Sequence, residues 1–218
     1  MKTSWPRRSG WLAMTVLAFL TALLASRYFG RDPDDFLPEQ RAVYLAHLTP
    51  LLLHIGGGVA ATVLGPWQFL PRLRTRHPAV HRLIGRGYLL SVLVTGIGGL
   101  AMAPHGLYGP IAPLGFATLA VLLLGTTTAA FVTVRRGAVA RHRVWMTRSY
   151  ALIFAAVTFR LWVSLLPMAG VPFEQAYMSG AWTCSLINLL VADRLTARPT
   201  PRRSTREAEA GRAETRAA

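Results

Sequence analysis

Apolar residues run through this chain in long blocks, separated by short polar or proline-rich breaks. Six blocks stand out: Trp11–Tyr28, Tyr44–Phe69, Ile84–Ala103, Leu114–Val134, Val144–Leu166 and Gln175–Leu195. Each is close to the roughly 20 mostly apolar residues that one helix needs to cross a hydrocarbon core. The breaks suit that reading. "GRDPDDFLPEQR" is polar and "LPRLRTRHPAVHR" is basic, while "PHGLYGPIAP" and "PMAGVPF" carry the proline and glycine that disfavour helix continuation. The pattern predicts an all-α polytopic membrane protein, a bundle of six transmembrane helices.

Charge adds an orientation. Of the 24 Lys and Arg residues, 20 lie in the N-terminal segment, the second-to-third link, the fourth-to-fifth link or the C-terminal part, counting Arg86, Arg148 and Arg194 at the adjoining block edges. The other side holds Arg27, Arg31 and Arg41 beside four acids, and Arg160 is the remainder, far along the fifth block. Cytoplasmic loops carry the excess of Lys and Arg. Both termini are therefore expected inside, with residues 1–10 a cytoplasmic segment, 11–195 the six-helix domain, and 196–218 a disordered basic cytoplasmic tail. Lys2, Arg7 and Arg8 before an apolar run also resemble a secretion signal. No small-x-small cleavage site follows, "PRRSGW" is a poor twin-arginine match, and more apolar blocks come after it. A retained first helix is the reading.

Composition narrows the class. The chain is 52% hydrophobic and 15% charged over 218 residues, with mean hydropathy +0.36; soluble domains carry about 25% charge. The net charge of +15 belongs to the arginine face rather than to a nucleic-acid surface, and its expected partner is a bilayer with anionic headgroups. Nothing in the sequence names a protein partner. A single cysteine, Cys184, excludes an internal disulfide and a cysteine metal cluster. No nucleophile elbow, HExxH, phosphate loop or carboxylate pair is present, so hydrolase chemistry has little support and enzymatic activity stays open.

Four motifs in order, "HIGGGVAATVLGPWQF" (54–69), "HRLIGRGYL" (81–89), "HRVWMTRSYALIFAAVTFRL" (142–161) and "AWTCSLINLLVAD" (181–193), resemble a bacterial family of predicted membrane proteins, domain of unknown function 2306. The likeness spans about residues 44 to 194. It departs at Cys184-Ser185, where the family pattern has an aromatic, and at Asp193, where it has glutamate. The resemblance implies a polytopic membrane fold and no activity; the expected location is the bacterial inner membrane. Function is left to the residues.

Ionisable groups deep in a span mark candidate sites. His54 lies ten residues into its block, and His47, seven residues earlier, would share a helical face with it. "GGG" (56–58) and "GIGG" (96–99) fit close helix packing or the approach of a flat cofactor. His81 and His142 each precede a span beside an arginine, where they would hold a metal, a haem or an anionic headgroup, or simply be solvated. His77 and His105 read as loop residues beside prolines, and Trp145 with Arg141, Arg143 and Arg148 as an interfacial anchor. Arg160 has three candidate partners: Glu174, backbone carbonyls, or a non-protein anion such as a propionate, carboxylate or phosphate. One functional expectation is a haem b- or quinone-linked redox role, with any haem iron at His54 and Arg160 holding an anionic group. The alternative is small-molecule or proton transport, or an accessory membrane subunit. No internal repeat supports a transporter of the inverted-repeat kind.

Overall fold

The computed structural model describes residues 5–36 and 38–197, and among these no strand occurs. Eight α-helices follow in order: α1 (Trp5–Ser26), α2 (Arg41–Ala46), α3 (Leu48–Gln68), α4 (Pro71–Arg76), α5 (Pro78–Met102), α6 (Ile111–Arg135), α7 (Val139–Met168) and α8 (Phe173–Thr196). Short 3₁₀ turns fill parts of the links after α1 and α5. The all-helical expectation holds. Five helices, α1, α3, α5, α6 and α7, are long and apolar enough to cross a membrane. α8 is long enough at 24 residues but less apolar, with Glu174, Gln175, Asn188, Asp193 and Arg194 along it.

Several boundaries differ from the sequence reading, each for a local reason. α1 begins at Trp5, so residues 5–10 are helix rather than a separate segment. α5 and α7 begin at Pro78 and Val139, which puts His81 and His142 inside their first turns instead of ahead of them. α4 occupies part of the basic break; it and α5 each open on a proline, whose fixed φ and missing N–H suit a first turn. The block from Tyr44 is not one helix. It breaks at His47 (φ −122°, ψ 37°) between α2 and α3. Pro50 explains the break, because its ring would clash with the carbonyl four residues back, at Ala46. The expected tail lies outside the described residues except for Thr196, the last residue of α8, and Ala197.

Neighbouring long helices alternate in direction. α6 and α7 turn at Gly137 (φ +72°), and α7 and α8 at Gly170 (φ +87°), a backbone region that glycine enters without a Cβ penalty. α3 and α5 pack closest. A Cβ on Gly57 would sit 2.6 Å from the Thr95 amide nitrogen, and one on Gly98 would sit 2.7 Å from that of His54. These glycines are filled by the partner backbone, which is tight helix packing rather than room for a flat cofactor. α8 lies against α6 and α7, and α1 against α3 with a smaller contact on α7. One end of the bundle gathers the start of α1, α4, the α6–α7 turn and the end of α8; this is the arginine-rich end.

The half nearer that end is solid. Tyr88 and Ser149 are wholly buried, and Tyr150 is 3% exposed. Tyr88 Oη lies 2.8 Å and Thr127 Oγ1 2.7 Å from Ser149 Oγ, which ties α5, α6 and α7 together. Pro66 donates no N–H to the Thr62 carbonyl one turn back; the Tyr150 hydroxyl donates to that carbonyl instead, at 3.3 Å. The Pro66 carbonyl accepts from Trp11 Nε1 at 3.1 Å, pinning α1.

Candidate functional site

The other half is hollow. A cavity of about 490 Å³ lies between the helices, lined by residues of α1, α2, α3, α5, α6, α7 and α8. Its walls are mainly aliphatic and aromatic, with Leu51, Ile55, Val59, Phe116, Leu123 and Phe159 among them. Small-molecule sites have volumes of about 300–1,000 Å³ and this kind of lining.

α3 turns the 51, 54, 55, 58, 59, 62 face toward the cavity, a helical periodicity read straight from the lining. His54 therefore sits inside the bundle and still counts as exposed, because its ring forms part of the cavity wall. Thr95 of α5 fixes it from behind. The Thr95 carbonyl lies 2.9 Å from His54 Nδ1, and a carbonyl only accepts, so Nδ1 carries the proton. Thr95 Oγ1 in turn donates to the His54 carbonyl at 2.7 Å. Gly99 gives the ring its space, since a Cβ there would stand 3.0 Å from Nδ1. A neutral imidazole held this way presents Nε2 as a lone pair, and no described group bonds to it.

Arg160 lines the same cavity. Counted from helix ends at about 1.5 Å per residue, His54 is roughly 9 Å along α3 and Arg160 roughly 12 Å from the end of α7. The two are nearly level, because the break at His47 shortens the span that seemed to put His54 deeper. Arg160 Nη1 donates to the carbonyl of Ala156 on its own helix at 3.2 Å. Among the described residues no carboxylate forms an ion pair with it, Glu174 is exposed, and the cavity lining contains no Asp or Glu. A permanent cation thus faces an apolar cavity with most of its donors unspent.

The link between α1 and α3 roofs the cavity at the end away from the arginines. Tyr28, Gln40 and Tyr44 line it from above. Gln40 is 2% exposed and its Nε2 donates to the His105 carbonyl at 3.2 Å. Arg27–Asp35 and Arg41–Asp34 ion pairs brace the outer surface of this roof. Burial, reinforced by Tyr177 and Tyr28, pushes the Tyr44 hydroxyl well above the ordinary tyrosine range, so it stays protonated at the cavity's edge.

The five candidate residues are divided by this geometry. His54 and Arg160 share the cavity. His47 does not line it. His47 stands at the α2–α3 break, donates from Nδ1 to Val43 O at 2.9 Å, and packs its ring 4.0 Å from that of His105. The shared helical face for His47 and His54 is lost with the break. His81 and His142 lie at the arginine-rich end, in α5 and α7. Asp193 pairs with Arg148 at 2.7 Å, which accounts for the acid at that position of α8. Among the described residues no three His, Cys, Asp or Glu side chains gather. Sequence reasoning missed Thr95, Gln40 and His105; the signal for Thr95 was a hydroxyl beside the "GIGG" glycines on the face opposed to His54.

A family model described as "Predicted membrane protein (DUF2306)" matches residues 51–196. No curated protein and no solved structure matches the chain.

Proposed function

The chain belongs to the DUF2306 family of predicted membrane proteins, and we propose that it is an inner-membrane, six-span protein whose cavity holds an amphipathic redox cofactor of the quinone type. The observation that carries this reading is the pairing, on one apolar cavity, of the free Nε2 of His54 with the unspent donors of Arg160. A quinol hydroxyl donates to a lone-pair imidazole nitrogen. The oxygen across the ring accepts from a guanidinium, and the isoprenoid tail suits aliphatic walls. α8 is the sixth span in this reading, with its charged residues near its two ends and its mid-helix Asn188 turned to α7. Trp182 Nε1 reaches the Ile111 carbonyl at 3.0 Å, and Asn188 bonds Thr158 and the Ala151 carbonyl. The arginine-rich end faces the cytoplasm, on the asymmetry of 20 basic residues in 24.

One observation favours a second occupant, haem b. Metal-ligating histidines donate their other N–H to a carbonyl or carboxylate, which is the bond that His54 makes to Thr95. Nε2 of His54 would then hold the haem iron and Arg160 an anionic propionate. Haem would supply one-electron chemistry when bound; the chain's own part is to orient that nitrogen and neutralise the anionic group.

The deciding experiment is the visible absorption spectrum of the purified protein, oxidised and reduced, with organic extraction of the same sample. A co-purifying quinone that His54→Ala and Arg160→Lys each release supports the first reading. Lysine keeps the charge but lacks the planar fork that meets two oxygens at once. Haem bands that vanish in His54→Ala support the second. Retention of every extractable or coloured molecule by both variants ends both readings.

A further inference from the structure

We propose that the arginine-rich end carries a second site, separate from the cavity, for a phosphate-type anion, framed by Gln68 at the end of α3, Arg74 on α4, His81 on α5 and His142 on α7. Two buried polar atoms there lack any partner: Gln68 Nε2 and His81 Nδ1. They are neighbours. The Gln68 amide lies against Gly85, where a Cβ would be 3.3 Å from its Oε1, and Gly85 is one turn along α5 from His81. Arg74, His142 and Arg82 are the groups close enough to act electrostatically on His81, and all are basic. His142 spends Nδ1 on the Ala130 carbonyl at 2.8 Å, which leaves Nε2 unspent.

The chemistry of this set selects its ligand. The unpaired Gln68 nitrogen donates, a guanidinium only donates, and His81 can carry its proton on Nδ1; His142, whose Nδ1–H is spent on the Ala130 carbonyl, donates from Nε2 only as an imidazolium. A metal ion is the wrong partner, because Gln68 Nε2 and Arg74 turn donors to it and only two histidines are at hand. An acceptor-only anion with several oxygens fits, and phosphate meets arginine, amide and imidazole donors together. Such a group arrives either on a phospholipid, since this end also carries Trp145 under Arg148 at 4.7 Å as an interfacial pair, or as a soluble phosphate compound.

The site is separable from the fold, because Arg74 lies on a short helix outside the core and makes no ion pair among the described residues. The test uses full-length, delipidated protein in a neutral maltoside detergent. Inorganic phosphate and short-chain phosphatidylglycerol are titrated separately, with binding read by native mass spectrometry and by the thermal unfolding midpoint. Saturable binding of one copy is expected, weakened roughly tenfold or more in Arg74→Ala and in His81→Ala. Arg136→Ala, an exposed arginine at the same end, should bind like the parent. Competition by inorganic phosphate supports a soluble ligand, and binding of phosphatidylglycerol alone supports a lipid headgroup. Non-saturable binding overturns the site, as does an equal loss in Arg136→Ala, which would mark general surface charge.

Discussion

The two halves of this bundle use the same kinds of residue to opposite ends. Toward the arginines, tyrosine, serine and threonine hydroxyls meet one another, and the freed carbonyl of Thr62 finds the Tyr150 hydroxyl. Away from them, His54 keeps one nitrogen unspent and Arg160 bonds only its own helix. Glycine shows the same contrast. At Gly65 the missing side chain is occupied by the ring of Tyr150, whereas Gly58 borders the cavity and a Cβ there would meet only Thr95 Oγ1, at 3.3 Å. Membrane helices gain little from apolar burial against apolar lipid, so packing and hydrogen bonding hold them together. The solid half therefore supplies the stability, and the hollow half is free to leave polar groups open for a ligand.

The largest effect should come from filling a glycine in the solid half. A Cβ at Gly65 would fall within the Tyr150 ring, which Phe69, Tyr88 and Phe154 hold in place. Gly65→Val should cost about 3 kcal/mol or more, the upper range for an overpacked core. Gly58→Ala, whose Cβ meets Thr95 Oγ1 at 3.3 Å beside the cavity, should cost less than about 1 kcal/mol. Denaturation in detergent compares them, and equal costs would erase the distinction between the halves.

Arg160 offers a change of the opposite sign. A cation at the centre of a membrane helix costs about 2.5–3.5 kcal/mol on insertion scales, and a single carbonyl offsets only part of that. Arg160→Leu should stabilise ligand-free protein by about 2 kcal/mol while abolishing ligand retention. A destabilised Arg160→Leu would mean that the guanidinium is satisfied within the hollow half, so that it is structural like the other. Ser149→Ala comes next, destabilising by about 1 kcal/mol. Because Ser149 serves both Tyr88 and Thr127, its cycle with Tyr88→Phe should be non-additive.

The long helices were legible because apolar length and arginine placement act locally, and each survives in the structure within a few residues. The break at His47 was also written in the chain, in Pro50, but a proline three residues into a helix acts on a carbonyl behind it and reads from the front as a harmless first-turn residue. His54 and Arg160 were legible as costly residues. They were also expected to serve one site; what the chain did not show is the rotation that turns them to one cavity, which for α3 is set by glycine contacts with α5 across 41 residues of chain. Ser149 escaped notice for a related reason: a serine in an apolar helix is unremarkable until its two hydroxyl partners, on two other helices, are known.

The smallest effect on stability should accompany a complete effect on binding. Val59 is half-buried and lines the cavity one turn from Ile55, on the face that carries His54. Val59→Phe adds a ring where about 490 Å³ of space already exists, so no neighbour has to move aside. Overpacking is costly where the structure is close-packed, and here the added atoms gain contacts that the cavity wall lacks. The expected change in unfolding free energy is within about 0.5 kcal/mol of zero, the range of substitutions that strike no packed feature. Ligand retention should fall all the same, because the ring takes up cavity space on the face that carries His54. Unfolding in detergent and extraction of bound small molecules, run on one preparation, read the two quantities together. A variant that unfolds several kcal/mol more easily would show that the cavity wall is packed as tightly as the Tyr88–Ser149 core. A variant that keeps its ligand at full occupancy would place that ligand elsewhere than against His54.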